Sequence, residues 1–168
     1  FMGGEFAQWR EWNHDASLDW HLLDHELHNG MKQWVRDLNL AYRSEKALHA
    51  ADCDPGGFEW VDCDNADESI ISWERIDPDS GEIVVAIFNY TPIVRETYRV
   101  GVKQSGYWKE ILNSDAPAYG GGGVGNLGGV ETDDFGWHWR PYCLTIALPP
   151  LGAVFFKYEG EKKPSADS

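Results

Sequence analysis

At 168 residues the chain has room for one ordinary domain, or for a small domain carrying an extra piece. A formal net charge of −14 excludes nucleic acid as a partner, because neutralising phosphates needs a basic stripe and the sequence has none. Nine tryptophans, seven tyrosines and seven phenylalanines are more aromatic surface than a minimal core consumes, so some rings are expected on binding faces, and a neutral partner such as a sugar suits the acidic balance.

The chain opens on Phe1-Met2, which reads as the tail of a buried strand whose neighbours lie upstream in a longer protein; alone, this end is expected to fray. The next stretch, GGEFAQWREWNHDASLDW, follows neither a period of 3.6 nor one of 2 and reads as an ordered aromatic and acidic loop. Its acids Glu5, Glu11, Asp15 and Asp19 are expected to serve Arg10, loop N–H groups and sugar hydroxyls. His21, His25 and His28 fall at helix-like intervals and read as a hydrated helix edge rather than a metal site. After Asn29 and Gly30 comes the best helix signal: Met31, Trp34, Val35, Leu38 and Tyr42 make a single apolar face. Ser44 reads as the N-cap of a second short helix, and Asp54-Pro55-Gly56-Gly57 ends helical structure.

Beyond that boundary the period changes. Runs at 58–62, 69–76, 82–90, 96–102, 107–112, 142–148 and 153–158 are short and rich in β-branched and aromatic residues, with turn residues between them. Seven such strands fit an antiparallel sandwich, with the nearly continuous apolar run at 83–88 as a central strand. Residues 113–140 form a long insertion holding the glycine-rich stretch 119–129. It lacks the GK[ST] ending and the strand-to-helix context of a phosphate cradle, so an ordered loop folded over the sheet is expected. At least one indole of Trp137 and Trp139 is expected to be buried beside it. Residues 159–168 read as a loose polar tail.

Cys53, Cys63 and Cys143 are odd in number and lack CxxC spacing, which favours reduced thiols in a cytoplasmic setting and argues against structural zinc; no metal or cofactor is expected. No run of about 18 apolar residues predicts a membrane span, and no signal peptide is recognised.

The opening loop, the WVRDLNLAYR helix and the later segments ALHAADCDPGGFEWVDCDNADESI, FNYTPIVRETYRVGV, GYWKEILNSDAPAYGGGGVGNLGG and LTIALPPLGAVFF together resemble bacterial 1,4-alpha-glucan (glycogen) branching enzymes of the alpha-amylase superfamily, from Phe1 to about Tyr158. The resemblance implies a C-terminal fragment of mainly β class. Residues 1–54 are the helical and loop tail of a (β/α)8 catalytic barrel, residues 55–158 an all-β sandwich domain and residues 159–168 the tail. Branching enzymes transfer an alpha-1,4-glucan segment to a 6-hydroxyl by retaining chemistry, with carboxylates supplied by earlier barrel strands whose motifs are absent here. The fragment is therefore expected to be inactive by itself, to stabilise the barrel and to help hold glucan.

The resemblance places a surface glucan site at the junction of barrel and C-terminal domain, and Trp60 matches it. Trp12 and Asp15 are further candidates, in a loop on the face of the active cleft. Expected partners are alpha-glucan (glycogen, malto-oligosaccharide) and the barrel of the same polypeptide, with self-association through the surface that the barrel would cover. The alternatives are a stand-alone carbohydrate-binding module and a non-catalytic β-sandwich scaffold.

Overall fold

A computed structural model describes residues 1–160. One long helix, α1 (Glu26–Ser44), is followed by eight strands: β1 (Phe58–Asn65), β2 (Ile70–Ile76), β3 (Ile83–Asn89), β4 (Arg95–Val102), β5 (Tyr107–Asn113), β6 (Gly129–Glu131), β7 (Tyr142–Leu148) and β8 (Gly152–Gly160). Six strands form one antiparallel sheet in the order β1-β2-β3-β8-β5-β6, and β4 and β7 pair as a second.

The two-residue period of a strand explains the sandwich. Ile83, Val85 and Ile87 of β3 and Val154 and Phe156 of β8 point to one side, where they meet Tyr98, Val100 and Val102 of β4 and Leu144, Ile146 and Leu148 of β7. Trp108 is fully buried in the same core. β3 is buried along almost its whole length, as the apolar run at 83–88 predicts, because its outer face is covered too. On that outer face the alternate residues make a row of rings: Trp60 on β1, Trp73 on β2, Phe88 on β3 and Phe155 on β8.

The N-terminal segment is tied to the sandwich by polar clasps. Lys157 of β8 bridges Glu45 and Glu82 (2.5 and 2.9 Å), and Glu82 also accepts the Ala47 N–H at 2.9 Å. Arg75 of β2 holds Asp52 at 2.6 Å, and Tyr119 donates to Asp37 of α1 at 2.8 Å.

Several expectations need correction. α1 begins at Glu26, not after Gly30, and Gly30 is buried inside it. The Gly30 position lies against the Tyr119 carbonyl, which a Cβ would meet at 2.2 Å, so this glycine marks a close approach rather than a boundary. Ser44 caps no second helix: it ends α1, with its hydroxyl donating to the Ala41 carbonyl at 3.3 Å, and only a 3-10 turn (Lys46–Leu48) follows. Asp54-Pro55-Gly56-Gly57 itself forms a 3-10 turn capped by the Asp54 carboxylate. The 113–140 insertion contributes a short strand, β6, which no periodicity in three residues could announce. β8 runs on through Gly160, so the expected tail loses its first two residues to the sheet, and the rest lies outside the described residues. Phe1 and Met2 form no strand, and the Phe1 ring rests on Trp12 at 5.4 Å. Among the described residues no helix is long and apolar enough to cross a membrane.

Candidate functional site

Trp60 sits at the edge of the six-stranded sheet and is 49% exposed, so it is not a tryptophan of the sandwich core. Antiparallel register places it opposite Trp73, and the two indoles meet edge to face at 5.9 Å. Phe58 packs against it from two residues earlier at 4.9 Å. Behind them Trp73 stacks on Phe88 at 4.6 Å, so Trp60 is the solvent end of a continuous aromatic row. Rings held on both sides lose little freedom when a ligand arrives, and an indole face can carry the apolar side of a pyranose.

The main chain under Trp60 is fixed by Arg140. Its guanidinium donates to the Trp60 carbonyl (3.4 Å) and to Glu59 (3.1 Å) and pairs with Glu74 at 2.6 Å. Glu74 is completely buried and the Arg140 side chain nearly so, which makes this pair a rigid anchor for the β1 edge.

Arg140 closes a tight hairpin with Trp137, and the turn residues His138 and Trp139 both have left-handed backbone conformations (φ 48° and 60°). The expected buried indole is not there: Trp137 is 41% exposed and Trp139 fully so. The turn sends the Trp139 ring outward, and what packs against β4 is the hairpin backbone, with the Trp137 carbonyl against Gly101, together with the His138 side chain. His138 accepts the Gly101 N–H on Nδ1 at 3.3 Å and faces Asp62 through Nε2 at 3.4 Å. Burial pushes its pKa below the ordinary histidine value, with Asp62 opposing and Arg140 adding to the shift.

Trp12 and Asp15 lie apart from Trp60. Trp12 is 42% exposed, leaning on Phe1 and His14, and Asp15 is an exposed partner of His14 at 3.2 Å. The acids of this loop make local contacts: Glu5 accepts the Gly3 N–H at 3.1 Å, and Arg10 has no ion pair among the described residues, contrary to expectation. Gln8 orders the loop instead, accepting the Asp19 N–H at 2.9 Å. His28 is not on a hydrated edge; it is buried, with Nδ1 bonded to the Phe6 carbonyl at 2.8 Å, and it pins the loop to α1. The glycine-rich loop spends its N–H groups on the protein's own acid, since Asp115 accepts from Gly122 (2.8 Å) and Val124 (2.9 Å). That carboxylate occupies the place a phosphate would need. Cys53 and Cys63 are exposed thiols and Cys143 a buried one.

Sequence reasoning singled out Trp60 as a candidate but missed the row behind it and the Arg140 anchor beneath it. The row was available in principle, because Trp73, Phe88 and Phe155 share one alternation phase once the register is known.

Residues 60–159 match the family described as alpha amylase, C-terminal all-beta domain. The 1,4-alpha-glucan branching enzyme GlgB of Aquifex aeolicus is 52% identical over 160 residues, which cover 95% of this chain and 25% of that protein. The protein of the same name from Cereibacter sphaeroides is 57% identical over 155 residues (92% and 21%), and that from Roseobacter denitrificans 52% over 159 (95% and 22%). The chain thus spans about a quarter or less of the length of these relatives. The family match begins at Trp60 and runs through the last described strand. With its antiparallel sandwich, the chain belongs to the alpha-amylase C-terminal all-beta domain family.

Proposed function

We propose that this chain is the C-terminal part of a 1,4-alpha-glucan branching enzyme, a transferase of the glycoside hydrolase type in cytoplasmic glycogen synthesis, and that it holds glucan without supplying the reacting carboxylates. The observation that carries this reading is that relatives bearing that name share half or more of its residues across nearly all of its length. Retaining transfer needs two carboxyls about 5 Å apart, one as nucleophile and one as acid and base. The carboxylates of Glu5 and Asp15 make local contacts instead, which supports placing the catalytic groups upstream.

In this reading α1 is the last helix of the barrel. Its apolar stripe is only partly covered here, with Met31 and Tyr42 exposed and Trp34, Val35 and Leu38 half-buried, as suits a face that meets the rest of a barrel. Trp60, with Phe58 beside it, is the leading glucan contact, and Trp12 and Asp15 form a second patch. Left alone, the exposed stripe and the Phe1-Met2 end favour self-association. The test is replacement: this chain substituted for the C-terminal quarter of the Aquifex aeolicus enzyme should restore branching, read as the fall in iodine absorbance of amylose. A soluble, folded chimera without activity contradicts the proposal.

A second reading, an autonomous carbohydrate-binding module, is favoured by the aromatic row itself, whose Trp60, Trp73 and Phe88 rings support one another within the sandwich. It predicts glucan affinity in residues 55–160 equal to that of the full chain.

A further inference from the structure

A cleft of about 580 Å³ runs along β4 on the side away from β7, between the β1–β2 turn (Asn65, Glu68) and the 137–140 hairpin. β4 pairs only with β7, so its other edge carries unpaired main-chain groups. The Gly101 N–H points away from β7, since His138 accepts it, and alternation turns the main chain of Arg99 the same way. Glu96 and Thr97 are skipped altogether by the pairing with β7. Two clasps bound this open edge: His138 on Gly101 at one end and Glu68 on Arg95 (3.1 Å) at the other. Between them the stretch from Thr97 to Arg99, with the Tyr98 main chain turned to β7, leaves roughly 10 Å of edge. That is too short for an added peptide strand of typical length, and it matches a disaccharide-sized ligand.

The walls have the chemistry of a site for hydroxyl groups. Arg95 and Arg99 are balanced by Glu68 and Glu96, so neither an anion nor a cation is favoured, and the chain's overall charge repels anions further. Arg99 lies over the rings of Phe135 (5.0 Å) and Trp137 (5.6 Å), which hold its guanidinium against the aromatic wall. The buried Arg95 Nε lacks a hydrogen-bond partner among the described residues. Finally, the turn that lines the cleft keeps His138 and Trp139 at positive φ, where Asn-Gly would cost nothing, and strain of this kind gathers at ligand sites.

We propose that this cleft is a binding site for a neutral, polyhydroxylated ligand of disaccharide length, an alpha-glucan segment, separate from the Trp60 platform. The choice of alpha-linked glucose over another sugar rests on the branching-enzyme reading; the polyol class does not. The test is an amide and indole NMR titration of the full chain with maltoheptaose. The signals of Thr97, Arg99, Gly101 and the Trp137 indole should move saturably. They should still move in Trp60→Ala, and should require at least tenfold more ligand in Arg99→Gln and in Trp137→Ala, two surface changes that leave the core intact. Absence of movement at these signals overturns the site; if the Trp60 indole alone responds, the site falls while the enzyme reading stands. An equal response to cellohexaose overturns the alpha-glucan assignment.

Discussion

Glu74 points into the sandwich core from β2, and among the described residues its charge partner is the nearly buried guanidinium of Arg140. A carboxylate so placed is tolerated because the guanidinium charge lies 2.6 Å from one of its oxygens; removing one member strands the other in a low-dielectric interior. Arg140→Met should therefore cost about 3–5 kcal/mol in urea unfolding, and Glu74→Gln in the same background should recover part of the loss. His138 is the second residue with a measurable signature. Its Nδ1 accepts the Gly101 N–H, so the folded state holds the neutral ring, and burial lowers its pKa below the ordinary value. As pH falls through the unfolded value of about 6.5, the unfolded chain takes up a proton that the folded chain resists, so stability is present above that pH and lost below it. The difference in urea midpoint between the parent and His138→Asn should shrink from pH 7.5 to pH 5.5; a constant difference would show that His138 does not titrate on unfolding.

The elements were legible where a period persisted over several residues. All seven expected strands exist within two residues of the expected starts, and the apolar run at 83–88 is the central strand because burial on both faces leaves no room for polar alternation. The failures share one cause: a residue whose role is set by a distant partner looks like a local signal. Gly30 reads as a helix boundary until the Tyr119 carbonyl is seen packed against it, and Ser44 reads as an N-cap until its hydroxyl is seen turned back to Ala41. His28 and Arg140 are likewise defined by contacts more than 20 residues away. Trp60 was legible by resemblance, while the row behind it needed the register. Because Gly30 and Tyr119 touch through backbone atoms, no side-chain rotation can relieve an added methyl. Gly30→Ala should cost about 1–3 kcal/mol, despite the better helix propensity of alanine, and should loosen the glycine-rich loop. Unchanged or raised thermal stability would show that α1 and the loop are not in contact.

On the scale of the whole molecule, two sheets and a helix are clasped into one body by Lys157, Arg75 and Tyr119, yet large apolar side chains remain outside on α1 and the opening loop. The proposed division of labour follows, with reacting carboxylates elsewhere and glucan-holding surfaces here. The pure chain should form no branch points and release no sugar from amylose; measurable turnover that copurifies with it would contradict the proposal. Affinity should be weak, since each contact must offset desolvation of sugar hydroxyls. The most direct measurement is a calorimetric titration of the full chain with maltoheptaose beside its Trp60→Ala variant. Weak binding by the parent, reduced about tenfold by losing the indole (about 1.4 kcal/mol), is the predicted result. Equal binding by the two proteins, with the variant's unfolding midpoint unchanged, would contradict the claim that the β1 edge holds glucan.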